Sequence, residues 1–531
     1  MIPPLRLSGG SIATLNPDRP SVESIRISNR HIESIGRATD LPAPTSDEIQ
    51  IEVPRNALVI PGLVESHAHL RSFALSHHQL DLEEPTDLQA ILRLVAEQVT
   101  KTPTGDWIRG RGWHPARLET PFPGCEPLDQ IAPEHPVILT THDGHVVWLN
   151  TRAMRETEAL EPRNTEEIRK LQGTHSPPGI FKEKAADWIR SRLPSPTPEE
   201  IRRSIIQTQQ HLHRLGITSL VNYEGIRDLS LYRQLDREGE LTLRLILNLE
   251  AHELEMAPTL DLKSGKGNDQ LRIGGLKIYL DGALGSRTAW MLAPYEGTSS
   301  RGEVVTSPKK FEELVLKGLQ TGLIPTVHAI GDAAVRTCLD CFENIGHLAS
   351  PSGFLFPPRI EHSQHIAAED VARFGALGVT ASIQPSHLFA DLDLIEPALG
   401  ARSNLAFPWR DLMDSGALLA LGSDAPIENP DPRRTLWAAV TRQRTDGFPA
   451  GGWHPEQRLT IMEALIAHTS SAALACGLGH RVGQLSPGRL GDLTVFSNNF
   501  LAEDAPHRIL DSEVLLTVAD GRIVYRREDI L

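Results

Sequence analysis

Cysteine is scarce. Four in 531 residues are too few for a disulfide framework, so a reducing cytoplasm is the expected compartment. Cys338 and Cys341 form a lone C-x-x-C in "VRTCLDCFENI"; with no second pair and an amphipathic helical pattern around them, they read as core packing. No apolar run approaches the ~20 residues of a membrane helix. The start, "MIPPLRLSGGSIATLNPD", lacks a basic segment followed by a long apolar core, so no signal peptide is expected. Basic charge is in deficit, 53 Lys and Arg against 68 Asp and Glu, a formal net charge of −15. With no basic run, nothing invites a nucleic-acid backbone or an anionic membrane surface. The expected partner is a small molecule, with homo-oligomerisation left open. Low-complexity sequence is absent, and 40% hydrophobic with 23% charged residues is the composition of an ordinary globular chain.

Histidine is what the chain does have, 22 in all, enough to make a metal site worth tracing. Residues 1–58 read as short strands with polar turns, and the far end, with "GDLTVFSNN" and "EVLLTVADGRIVYRRED", looks alike. Neither piece buries a good core alone, so residues 1–58 plus 480–531 are expected to form one small β-sandwich domain. Residues 59–479 repeat an apolar run, an abrupt polar or glycine-rich tail and a helical stretch. The strand candidates are "LVIPGLVESHAHL", "GITSLVNYEG", "LTLRLILNLE", "RIGGLKIYLDG", "LIPTVHAIGD", "RIEHSQ", "GVTASIQPSH" and "ALLALGSDAP". Between them lie amphipathic helices such as "SPKKFEELVLKGLQTG" and "AAEDVARFGALG". The pattern predicts an α/β fold, a (β/α)8 TIM-type barrel. The stretch from about 75 to 200 is too long for one crossover and reads as a subdomain inserted after the first barrel strand.

In such a barrel, chemistry sits at the C-terminal strand ends. There the sequence places His67 and His69 (strand one), Lys277 (four), His328 (five), His362 (six) and Asp424 (eight). His67 and His69 share a face in an extended strand. Alone, that pair is either a metal grip or two polar residues at a strand end. A lone His328 or His362 reads as a core histidine, and Asp424 as a cap or turn brace. Together they are hard to explain as structure. Neutral imidazoles and a carboxylate suit Zn²⁺ and related ions, and a catalytic site leaves a position for water, whose pKa the ion lowers towards ~7. Lys277, among apolar neighbours, is either half of a buried salt bridge or an amine that burial deprotonates. A neutral amine can take up carbon dioxide to become an anionic, bridging carbamate.

In this order, His67-x-His69, Lys277, His328, His362 and Asp424 resemble the amidohydrolase superfamily of metal-dependent hydrolases. More closely, the chain resembles its type-3, YtcJ-like group, which includes N-substituted formamide deformylases. The stretches "VESHAHL", "HDGHVVWLN", "GGLKIYLDGALGSRTAW", "VHAIGDAAV", "RIEHSQ", "LGSDAPIENPDP" and "GQLSPGRLGDLTVF" carry the likeness over essentially the whole chain. The resemblance implies a small flanking β-domain and one or two divalent ions, zinc first among them. His67 and His69 would bind the first and His328 and His362 the second, with N6-carboxylated Lys277 between them. Asp424 would ligate, take a proton from the attacking water and pass it to the leaving amine, which suits one carboxylate acting as base and then acid. A mononuclear centre with unmodified Lys277 stays open, because members of the superfamily differ on both points. The implied reaction is hydrolysis of a non-peptide carbon–nitrogen bond in an amide. Ester hydrolysis, deamination and decarboxylation at the same centre, or a non-catalytic scaffold, are the alternatives.

The loop after strand four should overlook the metal, bringing Asp281, Ser286 and Arg287 near the substrate. Arg287 would bind a carboxylate or a developing oxyanion, or else brace the loop. The resemblance also folds the insertion over the site, with His145 of "HDGH" near substrate beside Asp143, and points to Glu183; a turn and a surface ion pair are the plain alternatives. His387, ending strand seven, faces the pocket or solvent. Trp113, Trp148 and Trp290 line a pocket or fill a core. His77 and His78 are given no role.

Overall fold

The structure is a computed structural model. It describes residues 2–528 apart from 78, 83–86, 142, 143, 145, 173–176, 183, 346–354, 503 and 504. The chain forms two compact units, one of Met1–Phe73 with Ile205–Leu531 and one of Ala74–Ser204.

In the first unit, eight strands pair in chain order: β1 Leu63–Ala68, β2 Ile217–Asn222, β3 Arg244–Glu250, β4 Leu271–Tyr279, β5 Pro325–Ala329, β6 Arg359–His362, β7 Thr380–Ile383 and β8 Leu418–Leu421. Every neighbouring pair is parallel. The first and last strands meet just past their ends, where Ala68 bridges Ala425, the Asp424 N–H donates to the His67 carbonyl at 2.7 Å and the His69 N–H to the Ala425 carbonyl at 2.8 Å. This is the TIM-type barrel the sequence pattern predicts. Seven of its strands lie within the stretches singled out above, and β4 begins one residue before its own, at Leu271.

Local chemistry delimits the crossover helices. In Pro308–Thr321, Ser307 accepts from the Lys310 N–H, Pro308 takes the first turn, and Gly322 ends the helix at φ +83°, a left-handed conformation that costs glycine little. Cys338 and Cys341 are buried free thiols on helix Asp332–Ile345.

Strands from both chain ends share one seven-stranded sheet. In it Leu493–Phe496 runs antiparallel to residues 58–61, and the strand at Leu5–Ala13 lies beside Ile49–Pro61. Leu7, Ile25, Val59, Leu493 and Leu516 lie in its buried core.

The second unit holds a five-stranded sheet. Trp113 and Trp148 are fully buried in its core, ring centroids 5.7 Å apart, so both tryptophans are core. No helix among the described residues is long and apolar enough to cross a membrane.

One glycine sets the closure at the site. A Cβ on Gly422 would lie 2.6 Å from Glu65 Oε1 and 2.7 Å from the His67 nitrogen. Gly422→Ala is therefore expected to push β8 away from β1 and to cost about 1–3 kcal/mol. Urea unfolding checks this, and an unchanged midpoint would contradict so close an approach.

Candidate metal centre

Alternation along β1 turns Glu65, His67 and His69 to one face. Along β6 the same rule turns Arg359 and Glu361 inward and would turn His362 away. His362 nevertheless has φ +74° and Ser363 φ +44°. Left-handed backbone at these non-glycine positions ends the strand and swings the imidazole back into the site. Its ring lies 5.0 Å from that of His67 and 4.4 Å from that of His328. Asp424 is likewise left-handed, φ +63°. Strain of this kind is costly and collects at functional sites.

The side chains converge. Asp424 Oδ1 lies 3.0 Å from His69 Nε2 and 3.5 Å from His67 Nε2, and its Oδ2 lies 3.6 Å from His387 Nε2. The His387 ring stacks near-parallel to His362 at 5.8 Å. His67 Nδ1 is 2.7 Å from Glu361 Oε2. A carboxylate only accepts, so Nδ1 carries the hydrogen and Nε2 keeps its lone pair. His328 Nε2 lies 3.1 Å from the Gly282 carbonyl, which leaves its Nδ1 as the acceptor.

Electrostatics put His67, His328, His362, His387 and Asp424 in the ligating state, with His69 the exception. Burial, with Lys277 nearby, lowers His67 to about 4 and His328 to about 3. Burial also lowers His362 and His387. For Asp424 burial works the other way, but His67, His69 and His362 outweigh it and hold the carboxyl well below its usual range. In His69 the Asp424 carboxylate overcomes burial and raises the imidazole. Burial brings Lys277 down to about 8. Its Nζ lies 4.6 Å from the Tyr223 ring centroid and 4.7 Å from that of Tyr279. Among the described residues no carboxylate forms an ion pair with it, so the salt-bridge alternative is not what the fold builds.

This donor set fits a divalent cation. One ligand atom each from His67, His362 and Asp424 lies within 4.8 Å of the others. His362 Nδ1 and His387 Nε2 are buried without a hydrogen-bond partner, a state polar groups rarely keep unless something else satisfies them.

The surrounding residues divide. Asp281 accepts from the N–H groups of Trp290, Ile330 and Gly331 at 2.8–3.0 Å; both oxygens are occupied in bracing the loops after β4 and β5. Arg287 is exposed at φ +55°, and Ser286 Oγ is 2.6 Å from Thr288 Oγ1. Trp290 is half-buried. His145, Asp143, Glu183 and His78 lie outside the described residues. Reading the sequence missed Glu361 and Glu65. Glu65 Oε1 accepts from the N–H groups of His67 and Ser423 while its Oε2 has no partner. The available signal was a charged residue inside a barrel strand, where an apolar one is usual.

Burial also makes stability depend on pH. His67, His213 and His468 are lowered to about 4, and His328 and His365 to about 3. They take up protons near pH ~6.5 only when unfolded, so their contribution is complete above that pH and drains as pH falls towards 4. Glu65, Asp281 and Asp391, which burial raises to about 7, oppose this in part. Chelator-treated protein is expected to melt at a lower temperature at pH 5.0 than at pH 7.5. Equal melting points would contradict neutral buried histidines.

Fold and site together define a barrel with a buried cluster of histidines and a carboxylate at its C-terminal mouth. A model described as the amidohydrolase family matches residues 55–525, and the chain belongs to that family. It is 28% identical to the putative amidohydrolase YtcJ of Bacillus subtilis, covering 98% of this chain and 99% of that one. To the N-substituted formamide deformylase of Arthrobacter pascens it is 24% identical, covering 98% of each. Among solved structures, an uncharacterized metal-dependent hydrolase from Pyrococcus horikoshii OT3 superposes with a TM-score of 0.79 at 27% identity, covering 95% of this chain and 99% of that chain.

Proposed function

We propose that the protein hydrolyses a carbon–nitrogen bond, other than a peptide bond, in a small-molecule amide. It is a metal-dependent hydrolase. His67, His69, His328, His362 and Asp424 would hold one or two divalent ions, zinc first among them, with Lys277 joining in its N6-carboxylated form. The observation that carries this reading is the convergence of His67, His362 and Asp424 on one point, with His362 Nδ1 buried and unsatisfied. The formamide deformylase relative favours an amide over an ester.

A bound divalent ion supplies Lewis acidity at the carbonyl and lowers the pKa of water towards ~7. Asp424 manages the proton, accepting it from the attacking water and delivering it to the leaving nitrogen. His69 and His387 flank its two oxygens and keep it aimed. Lys277, brought to about 8, has an appreciable neutral fraction near neutral pH. The neutral amine adds to carbon dioxide, its nitrogen bonding to carbon as one proton leaves, to give the carbamate. Arg287, exposed on the loop after β4, binds a substrate carboxylate. Four free buried cysteines support a cytoplasmic setting.

The test is amine release from a panel of N-formyl and N-acyl amines, run beside the matching esters, with metal-loaded protein. Turnover of amides supports the reading. Full metal content with no amine released from any of them, or turnover of esters alone, overturns it.

A further inference from the structure

The interior of a (β/α)8 barrel is ordinarily filled by branched apolar side chains. Here β6 instead buries two charged residues completely, Arg359 and Glu361. A buried ion pair is often no better for stability than an apolar pair of the same size, so what it holds in place matters more than what it adds to stability.

Glu361 is saturated. Its Oε1 accepts from Arg359 Nε at 2.8 Å and from the Tyr223 hydroxyl at 2.7 Å; its Oε2 accepts from Arg359 Nη2 at 3.2 Å and from His67 Nδ1 at 2.7 Å. A carboxylate offers about four such positions, so the group has no freedom to turn. Arg359 Nη2 also donates to the Ser66 carbonyl on β1 and to Ser382 Oγ on β7, each at 2.9 Å. The guanidinium thus ties three strands at the level of the first ligand. Tyr223 acts twice. Its hydroxyl fixes Glu361, and its ring lies flat against the His67 imidazole, with centroids 3.9 Å apart and planes 10° apart.

We infer that Arg359 and Tyr223 are positioning residues for the metal centre. Through Glu361 they hold His67 in the Nδ1–H tautomer, with its Nε2 lone pair facing the cation. The inference rests on the metal reading above and adds the residues that prepare one ligand before any ion arrives. A carboxylate oriented by an arginine fork makes the tautomer a property of the folded chain. Groups that hold a ligating histidine from behind typically change metal affinity 10–100-fold when removed.

The experiment uses the full chain with Tyr223→Phe, which keeps the stacked ring, and Glu361→Gln, which keeps the shape but presents an amide. Two quantities are read in each variant after a thermal melt has confirmed the fold. One is the His67 tautomer in metal-stripped protein, by nitrogen-15 NMR. The other is zinc affinity, by competition with a chelator. Wild type is expected in the Nδ1–H form. Tyr223→Phe should lose about tenfold in zinc affinity and Glu361→Gln about 100-fold, with the Nε2–H tautomer appearing in Glu361→Gln. Arg359→Lys, which replaces a fork by a single point, should fall between them. Wild-type affinity in both folded variants, or an unchanged tautomer in Glu361→Gln, overturns the inference. Should wild type bind no zinc, the metal reading fails, while the tautomer of the stripped protein still decides this one.

Discussion

Asp424→Asn is expected to lower kcat by about 10³-fold, within the range that a positioned proton carrier supplies, while the fold survives. Asparagine matches aspartate in shape and is among the few residues that tolerate a left-handed backbone, so the φ of +63° at this position is not a new source of strain. The N–H of residue 424 still donates to the His67 carbonyl at the barrel seam. What disappears is the carboxylate charge of residue 424, which lies among His67, His69 and His362, and with it the ability to take and return a proton. Rates should be compared at matched metal content, so that weaker ligation is separated from lost proton transfer. Wild-type turnover in the variant would remove Asp424 from its assigned role.

Lys277→Ala should weaken metal retention by about 100-fold or more, at the upper end of what supporting residues contribute. The side chain is fully buried and has no carboxylate partner among the described residues. Removing it therefore relieves a desolvated charge rather than orphaning a counter-ion, and a gross loss of fold is not expected. If the lysine acts as a carbamate, bicarbonate should raise metal content in wild type and not in the variant. A short carboxylate such as propionate, entering the space left behind, should restore part of it. Normal metal content in Lys277→Ala after dialysis would exclude a bridging role.

Much of this architecture was legible because a barrel strand declares itself twice, by an apolar run and by the polar residues at its end. Alternation put His67 and His69 on one face, and only the polar residues at the other strand ends made that pair a candidate metal grip. His362 and Asp424 were found as residue types at strand ends, but their aim was not readable. Both depend on left-handed backbone at non-glycine positions, which the closed barrel imposes and no local propensity announces. Glu361 was hidden because its partner His67 lies 294 residues earlier in the chain. Asp281 was placed correctly on the loop after β4, yet backbone N–H groups from two loops claim its oxygens, a competition visible only once β4 and β5 are side by side. The tryptophans of the insertion were ambiguous for the usual reason, since a large ring serves a core or a pocket equally well until its neighbours are known.

The measurement that bears most directly on the central claim is the divalent metal content of the folded chain, by elemental analysis, after expression with zinc and bicarbonate. Between about one and two ions per chain is expected, falling in His67→Ala and His362→Ala. Two would favour the Lys277-bridged centre and one the mononuclear form. A folded chain that carries no metal and cannot be reloaded would contradict the centre altogether.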